Sequence, residues 1–204
     1  VERLTIAEAD GMTALGETLA AELRAGDLLV LSGPLGAGKT TLTRGIGAGL
    51  GVRGRVASPT FVLARTHPSL GDGPPLVHVD AYRLQSAMEL DDLDIDYARS
   101  VVVVEWGAGL LDGVAESWLE LDIVRPTGAG ADAAGSEATG SDDADETGDD
   151  DSDDTDSDDT DSDETDPTDA SDLGADEPRT ITIRGFGPRW SGTPYAGGSP
   201  ATAK

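Results

Sequence analysis

The spacing of apolar residues changes period several times along this chain, and each change marks an element. Met12, Leu15, Leu19 and Leu23 recur at helical spacing in "MTALGETLAAELR" (12–24), which predicts a helix with one apolar face and Gly26 as its stop. "DLLVLSG" (27–33) is a continuous apolar run that predicts a buried strand, and after a glycine-rich turn "KTTLTRGIGAGLG" (39–51) predicts a second helix. "RVASPTFVLAR" (55–65) has an extended, β-branched character interrupted by Pro59, and "HPSLGDGPP" (67–75) reads as a surface turn. "LVHVDAYRL" (76–84) predicts a strand that ends in polar residues. "SAMELDDLDID" (86–96) predicts a short acidic helix, with Ser86 and Glu89 spaced as a capping box. "VVVVEWG" (101–107) is the clearest buried strand. "WLELDIV" (118–124) and "RTITIRGF" (179–186) alternate with period two, as half-exposed antiparallel strands do.

Composition separates those last two runs. Residues 128–177 contain 22 of the 40 Asp and Glu and no Lys or Arg, with "DSDDT", "DSDDT" and "DSDET" in succession from Asp151 to Thr165. Like charge at that density repels itself, and almost nothing there can be buried to offset the entropy of ordering. The expected organisation is a domain over 1–126, a disordered Asp/Ser/Thr-rich acidic insertion over 127–178 inside a hairpin, the final strand at 179–187, and a flexible tail at 188–204. A solvated spacer is the plain reading of the tract. The alternatives are a decoy for a partner's binding surface or an adaptation to high salt.

Without the tract the charge is mild, 18 acidic against 14 basic residues, and no basic patch suggests nucleic-acid binding by this chain alone. The absence of cysteine excludes disulfides and thiolate metal sites. No apolar run reaches the ~18 residues of a membrane helix, and "VERLTIAEAD" lacks the features of a signal peptide. The expectation is a soluble cytoplasmic protein. His67 and His78 lack metal-ligand spacing and read as structural. Only Lys39 and Lys204 are lysines, so the folded body has one lysine.

That lysine lies in "GPLGAGKT" (33–40), which fits G-x-x-x-x-G-K-[ST] between a predicted strand and a predicted helix. In such a loop, Gly33, Gly36, Ala37 and Gly38 let backbone N–H groups converge on phosphate oxygens. Lys39 adds a point charge, the Thr40 hydroxyl can ligate magnesium, and Thr41 follows in the first helical turn. A magnesium nucleotide site usually needs a carboxylate at the end of a buried strand, and two are available: Asp80 ends "LVHVD" and Glu105 ends "VVVVE". An N-K-x-D guanine motif is impossible because neither Lys39 nor Lys204 follows an asparagine, and residues 107–126 hold only Arg125 where a kinase would carry an Arg-rich lid. ATP is favoured by elimination. A small-molecule kinase and a nucleotide-dependent binding module remain the alternatives. "SPTF" (58–61) lies where a nucleotide switch segment would, with hydroxyls on Ser58 and Thr60.

"GPLGAGKTT", "SPTF", "HVDAYRL" and "VVVVEWG", in this order and at these separations, resemble the TsaE (YjeE) family, small bacterial ATPases of the tRNA threonylcarbamoyladenosine pathway. The resemblance spans about residues 4–126 and resumes at 179–187. It implies an α/β P-loop NTPase fold, a mostly parallel central sheet with added antiparallel strands, here interrupted by the acidic insertion. It implies ATP and Mg2+ as cofactors and the TsaB and TsaD proteins as partners. TsaD performs the carbamoyl transfer to the adenosine beside the anticodon, so tRNA is met only through the complex. By the same resemblance Lys39 and Thr40 are the loop pair, Thr40 and Glu105 hold magnesium, and Asp80 acts in hydrolysis. Ser58 and Thr60 match the switch-like segment, and Tyr82, Arg83 and Trp106 are further motif residues. Low intrinsic activity is expected because no cis arginine is obvious in the right place, Arg83, three residues past Asp80, being the nearest candidate, and the insertion leaves open whether Arg179 joins the nucleotide pocket.

Overall fold

The computed structural model describes residues 1–84, 86–110, 114–125 and 178–197. The acidic tract, expected to be a disordered insertion, and residues 198–204 lie outside the described residues. The elements are β1 (Glu2–Ile6), α1 (Ala9–Ala20), β2 (Leu28–Ser32), α2 (Lys39–Gly49), β3 (Ala64–His67), β4 (Leu76–Asp80), α3 (Ala87–Asp91), β5 (Val101–Glu105), β6 (Trp118–Val124) and β7 (Arg179–Phe186). The strands form one seven-stranded sheet in the order β1-β7-β6-β2-β5-β4-β3. Its centre is parallel: β2 pairs with both β5 and β6, and β4 with β5. The flanking pairs β1–β7, β6–β7 and β3–β4 are antiparallel.

The apolar runs of β2, β4 and β5 are continuous because helices or loops cover both faces of the central strands, as a buried parallel sheet requires. Alternation sends Leu29, Leu31, Leu76, Val101 and Val103 into one core with Met12 and Leu19 of α1 and Leu42 and Ile46 of α2. Leu28, Val30, Val77, Val79, Val102 and Val104 fill the other, with Leu90 of α3. Helices α1 and α2 pack closely because Gly16 and Gly45 lie at their contact. A Cβ at Gly16 would run into the Leu42 carbonyl, and one at Gly45 into that of Thr13.

Several expectations need correction. The first helix starts three residues earlier than its apolar face suggested and stops at Ala20, well short of Gly26. The Asp27 carboxylate accepts the Arg24 N–H at 2.9 Å and the Asp27 N–H reaches the Arg24 carbonyl at 3.0 Å, closing a turn where the helix would have continued. The extended stretch at 55–65 yields a strand only from Ala64. The strand at 76–84 ends at Asp80 and passes into a 3-10 turn, Ala81–Arg83, in which the Asp80 carboxylate caps the Tyr82 N–H. The strand β1 was not foreseen. Its five residues alternate between intermediate and exposed positions at the sheet edge, a weak signal in a short segment.

The tail, expected to be flexible from 188, is part of the domain through residue 197. After a 3-10 turn at Pro188–Trp190, Trp190 is 1% exposed and Tyr195 6%. The Gly185 N–H donates to the Tyr195 carbonyl at 2.6 Å, and the Gly197 N–H to the Gly185 carbonyl at 2.8 Å. Two large aromatic side chains buried on the sheet outweigh the entropy of a glycine-rich segment.

Candidate functional site at the carboxyl ends of the parallel strands

Strands β2, β4 and β5 run in the same direction, so the loop after β2, Asp80 and Glu105 all fall at one edge of the sheet, where ligands of open α/β sheets bind. Gly33, Gly36 and Gly38 take φ of 143°, 74° and 102°, and Ala37 between the last two is fully buried. Gly38 caps α2 in the left-handed region. A Cβ there would meet Met12 at 3.3 Å and Arg179 at 3.6 Å. The first turn of α2 contains no acidic residue, so the positive end of the helix is not locally neutralised.

Lys39 is 4% exposed. Its Nζ donates to the Gly33 and Pro34 carbonyls at 3.0 Å each and lies 3.6 Å over the Trp106 ring. Burial pushes the ammonium below the usual lysine range, against the opposing pull of Glu105 and then Asp80. Trp106 is held under it by a left-handed backbone, φ 63°, with its N–H on the Leu31 carbonyl at 2.9 Å. Tyr82 packs edge-on against that indole, ring centroids 5.3 Å apart, and is itself 68% exposed.

Register places Asp80 directly beside Glu105, and both are buried, 5% and 3% exposed. Thr40 donates its hydroxyl to Glu105 Oε1 at 2.9 Å, which brings the loop and the β5 carboxylate together. His78, read from the sequence as structural, is fully buried, with Nε2 2.8 Å from the same Oε1. No metal-ligand spacing in the sequence marks this residue. The usable signal was H-x-D on β4, which puts His78 and Asp80 on the face that Glu105 shares. His67, by contrast, lies at the far end of β3 and stays structural, with burial lowering its pKa.

Asp80 has both oxygens engaged. Oδ1 accepts the Tyr82 N–H at 3.0 Å and Oδ2 the Thr60 hydroxyl at 2.8 Å. Because a carboxylate only accepts, Thr60 spends its proton on Asp80 and takes that of Ser58, 2.8 Å away. Arg83, the arginine expected to be nearest Asp80, donates to the Thr60 carbonyl and so braces this segment. The segment turns back through Leu63, whose φ of 64° is unusual for a bulky residue, and it leaves Phe61 94% exposed.

On the other side of Gly38, a cavity of about 150 Å³ opens between the start of α1 and the glycine loop, with Asp10, Thr13, Thr41, Arg44 and Arg179 on its walls. Arg179 is 2% exposed and lines this cavity beside Gly38. Its signal in the sequence was position alone: it opens the strand that resumes after the tract.

Fold and site define a mixed α/β domain whose glycine loop, single body lysine, hydroxyls and paired carboxylates gather at the carboxyl edge of parallel strands. Comparison with known proteins gives this domain a family. The family model described as "Threonylcarbamoyl adenosine biosynthesis protein TsaE" matches residues 6–130, and the chain belongs to the TsaE family. It is 64% identical over 124 residues to the tRNA threonylcarbamoyladenosine biosynthesis protein TsaE of Streptomyces coelicolor, covering 59% of this chain and 84% of that one. The protein of the same name from Mycobacterium leprae is 50% identical over 55% of this chain and 75% of its own, and that of Bacillus subtilis 38% over 55% and 70%. A crystal structure of YdiB from Bacillus subtilis superposes with a TM-score of 0.49 at 30% identity, over 62% of this chain and 78% of that one. Among the described residues no helix is long and apolar enough to cross a membrane.

Proposed function

We propose that this chain is a magnesium-dependent ATPase that supports N6-threonylcarbamoyladenosine modification of tRNA, working with TsaB and TsaD and meeting tRNA only through them. Membership of the TsaE family supports the pathway. The observation that carries the ATPase reading is the Thr40–Glu105 contact at 2.9 Å beside the buried Lys39 and the glycine loop.

The donor set fits a magnesium nucleotide. Thr40 and Glu105 are hard oxygen donors, suited to magnesium rather than to a softer metal, and Gly38 leaves open a place that any side chain would crowd. Thr40 and Glu105 would hold the ion, which when bound neutralises charge developing on the phosphate oxygens. Backbone N–H groups of Gly36 to Thr40 and the end of α2 bind phosphate, while Lys39 supplies a charge at the outer end. The cavity beside Gly38 and Thr41 offers the nucleoside end a place, with Arg44 and Arg179 as its cationic wall.

Asp80 orients the attacking water. Its Oδ2 is held by Thr60, so Thr60 must turn away, or share that oxygen, for water to be oriented there. With Arg83 committed to the Thr60 carbonyl, the turn after β4 brings no free arginine to the site, and intrinsic turnover is low. A phosphate-release assay with and without TsaB and TsaD, and with and without hydroxyl-bearing acceptors, tests the reading. Slow magnesium-dependent release that the two partners alter supports it. Transfer to an acceptor indicates a kinase, and binding without release a binding module.

A further inference from the structure

We propose that His78 is a positioning residue that fixes the Glu105 carboxylate in the orientation in which it serves the magnesium ion. The inference rests on the metal assignment proposed for Thr40 and Glu105.

Three observations carry it. The first is geometric. His78 and Asp80 project from the same face of β4, and β5 places Val103 and Glu105 beside them in register. The imidazole therefore lies diagonally across one strand pair from the carboxylate, with Nε2 2.8 Å from Oε1. An ionised carboxylate offers no proton, so Nε2 carries it and donates.

The second is the division of labour between the two oxygens. Oε1 takes both donors, His78 at 2.8 Å and Thr40 at 2.9 Å, while among the described residues no hydrogen bond is formed to Oε2. A glutamate side chain has several rotatable bonds, and a carboxylate that must meet a metal benefits from being fixed beforehand. Two donors converging on one oxygen fix it and leave the other with its acceptor capacity unused. The Thr40 hydroxyl, having given its proton to Oε1, presents lone pairs.

The third is what this residue costs the fold. His78 is fully buried on the face that Leu76, Val101 and Val103 share, where an aliphatic side chain would pack without difficulty. Its Nδ1 has no partner among the described residues. A buried polar atom without a partner is unfavourable, and the packing of the neighbouring aliphatic residues does not require one. The bond to Glu105 is what the imidazole provides there.

The test is titration of the full chain with a non-hydrolysable ATP analogue at stepped Mg2+ concentrations and in EDTA, with Mn2+ in place of Mg2+ for electron paramagnetic resonance of the bound ion. His78→Leu raises the Mg2+ concentration needed for half-maximal analogue binding about tenfold, broadens the Mn2+ signal, and leaves analogue affinity in EDTA unchanged. His78→Gln, whose amide N–H extends about as far as Nε2, restores most of the parent behaviour. His78→Asn, whose amide stops near the position of Nδ1, does not. If the leucine variant fails to fold, the difference between Gln and Asn decides. Leucine or asparagine variants with the parent's Mg2+ dependence overturn the positioning role while leaving the metal site intact. A parent protein whose analogue binding ignores Mg2+ overturns the metal assignment and this inference together.

Discussion

The two ends of β2 bury charge in opposite ways. At its start Asp27, 4% exposed, is closed off completely: Arg189 reaches Oδ1 at 2.9 Å and Oδ2 at 3.0 Å, and the Arg24 N–H adds a third bond. The guanidinium stacks on Trp190 and donates to the Glu22 carbonyl, and Tyr195 reaches the Glu22 carboxylate. At its end the chemistry is unbalanced by comparison. Lys39 is buried against carbonyls and an indole, Glu105 carries both of its bonds on one oxygen, and Trp106 and Leu63 sit in left-handed conformations. A cluster that only stabilises uses up its bonding capacity, whereas a cluster that must meet a ligand keeps some in reserve and tolerates strain.

If that contrast is right, substitutions at the two ends separate activity from stability. The largest effect is expected of Asp80→Asn. It keeps an acceptor oxygen for the Tyr82 N–H and presents an amide N–H that the Thr60 hydroxyl can accept, so thermal melting and nucleotide affinity stay near the parent while phosphate release falls by roughly 10²-fold or more. A variant that hydrolyses ATP normally would remove Asp80 from the mechanism. Next is Arg189→Ala, which strands a buried Asp27. Urea unfolding should show a loss of about 3 kcal/mol, with nucleotide affinity of the folded fraction unchanged. A stability near the parent's would mean that the clasp is incidental. The smallest effect is that of Tyr195→Phe, about 1 kcal/mol for one hydrogen bond.

That substitution also carries a pH signature. Burial, with help from Glu22, pushes the Tyr195 phenol up to about 12 from 10.0. The unfolded chain therefore loses this proton first, and the fold weakens as pH rises from 10 towards 12. In Tyr195→Phe that part of the alkaline loss is absent, so the two stability curves converge across this interval. Curves that stay parallel there would show that the phenol does not titrate differently on folding.

The working end was far more legible in the sequence than the stabilising end. The loop has fixed spacing, and Asp80 and Glu105 are carboxylates that close uninterrupted apolar runs. Their meeting follows from parallel pairing, which the strand and helix order already implied. His78 was only half legible: H-x-D puts it on the face of Asp80, but its partner is another side chain across a strand pair, a relation visible only once the register is known. The clasp was hidden for a different reason. "GPRWSGTPYAGG" looks like a loose tail by its glycine and proline content, and only the burial of Trp190 and Tyr195 reveals that it packs. The helix end at Ala20 depended on Asp27, which reads in sequence as nothing more than the residue before a strand.

The most direct test of the account is calorimetric titration of a non-hydrolysable ATP analogue into the parent, Lys39→Ala and Glu105→Ala proteins, each with Mg2+ and with EDTA. Charged contacts are worth roughly 1.5–3 kcal/mol, so Lys39→Ala should bind the analogue about tenfold or more weakly under both conditions. Glu105→Ala should match the parent in EDTA and lose only the increment that Mg2+ adds. Unchanged affinity in Lys39→Ala, or a full Mg2+ increment in Glu105→Ala, would contradict the assignment of this edge of the sheet as a magnesium nucleotide site.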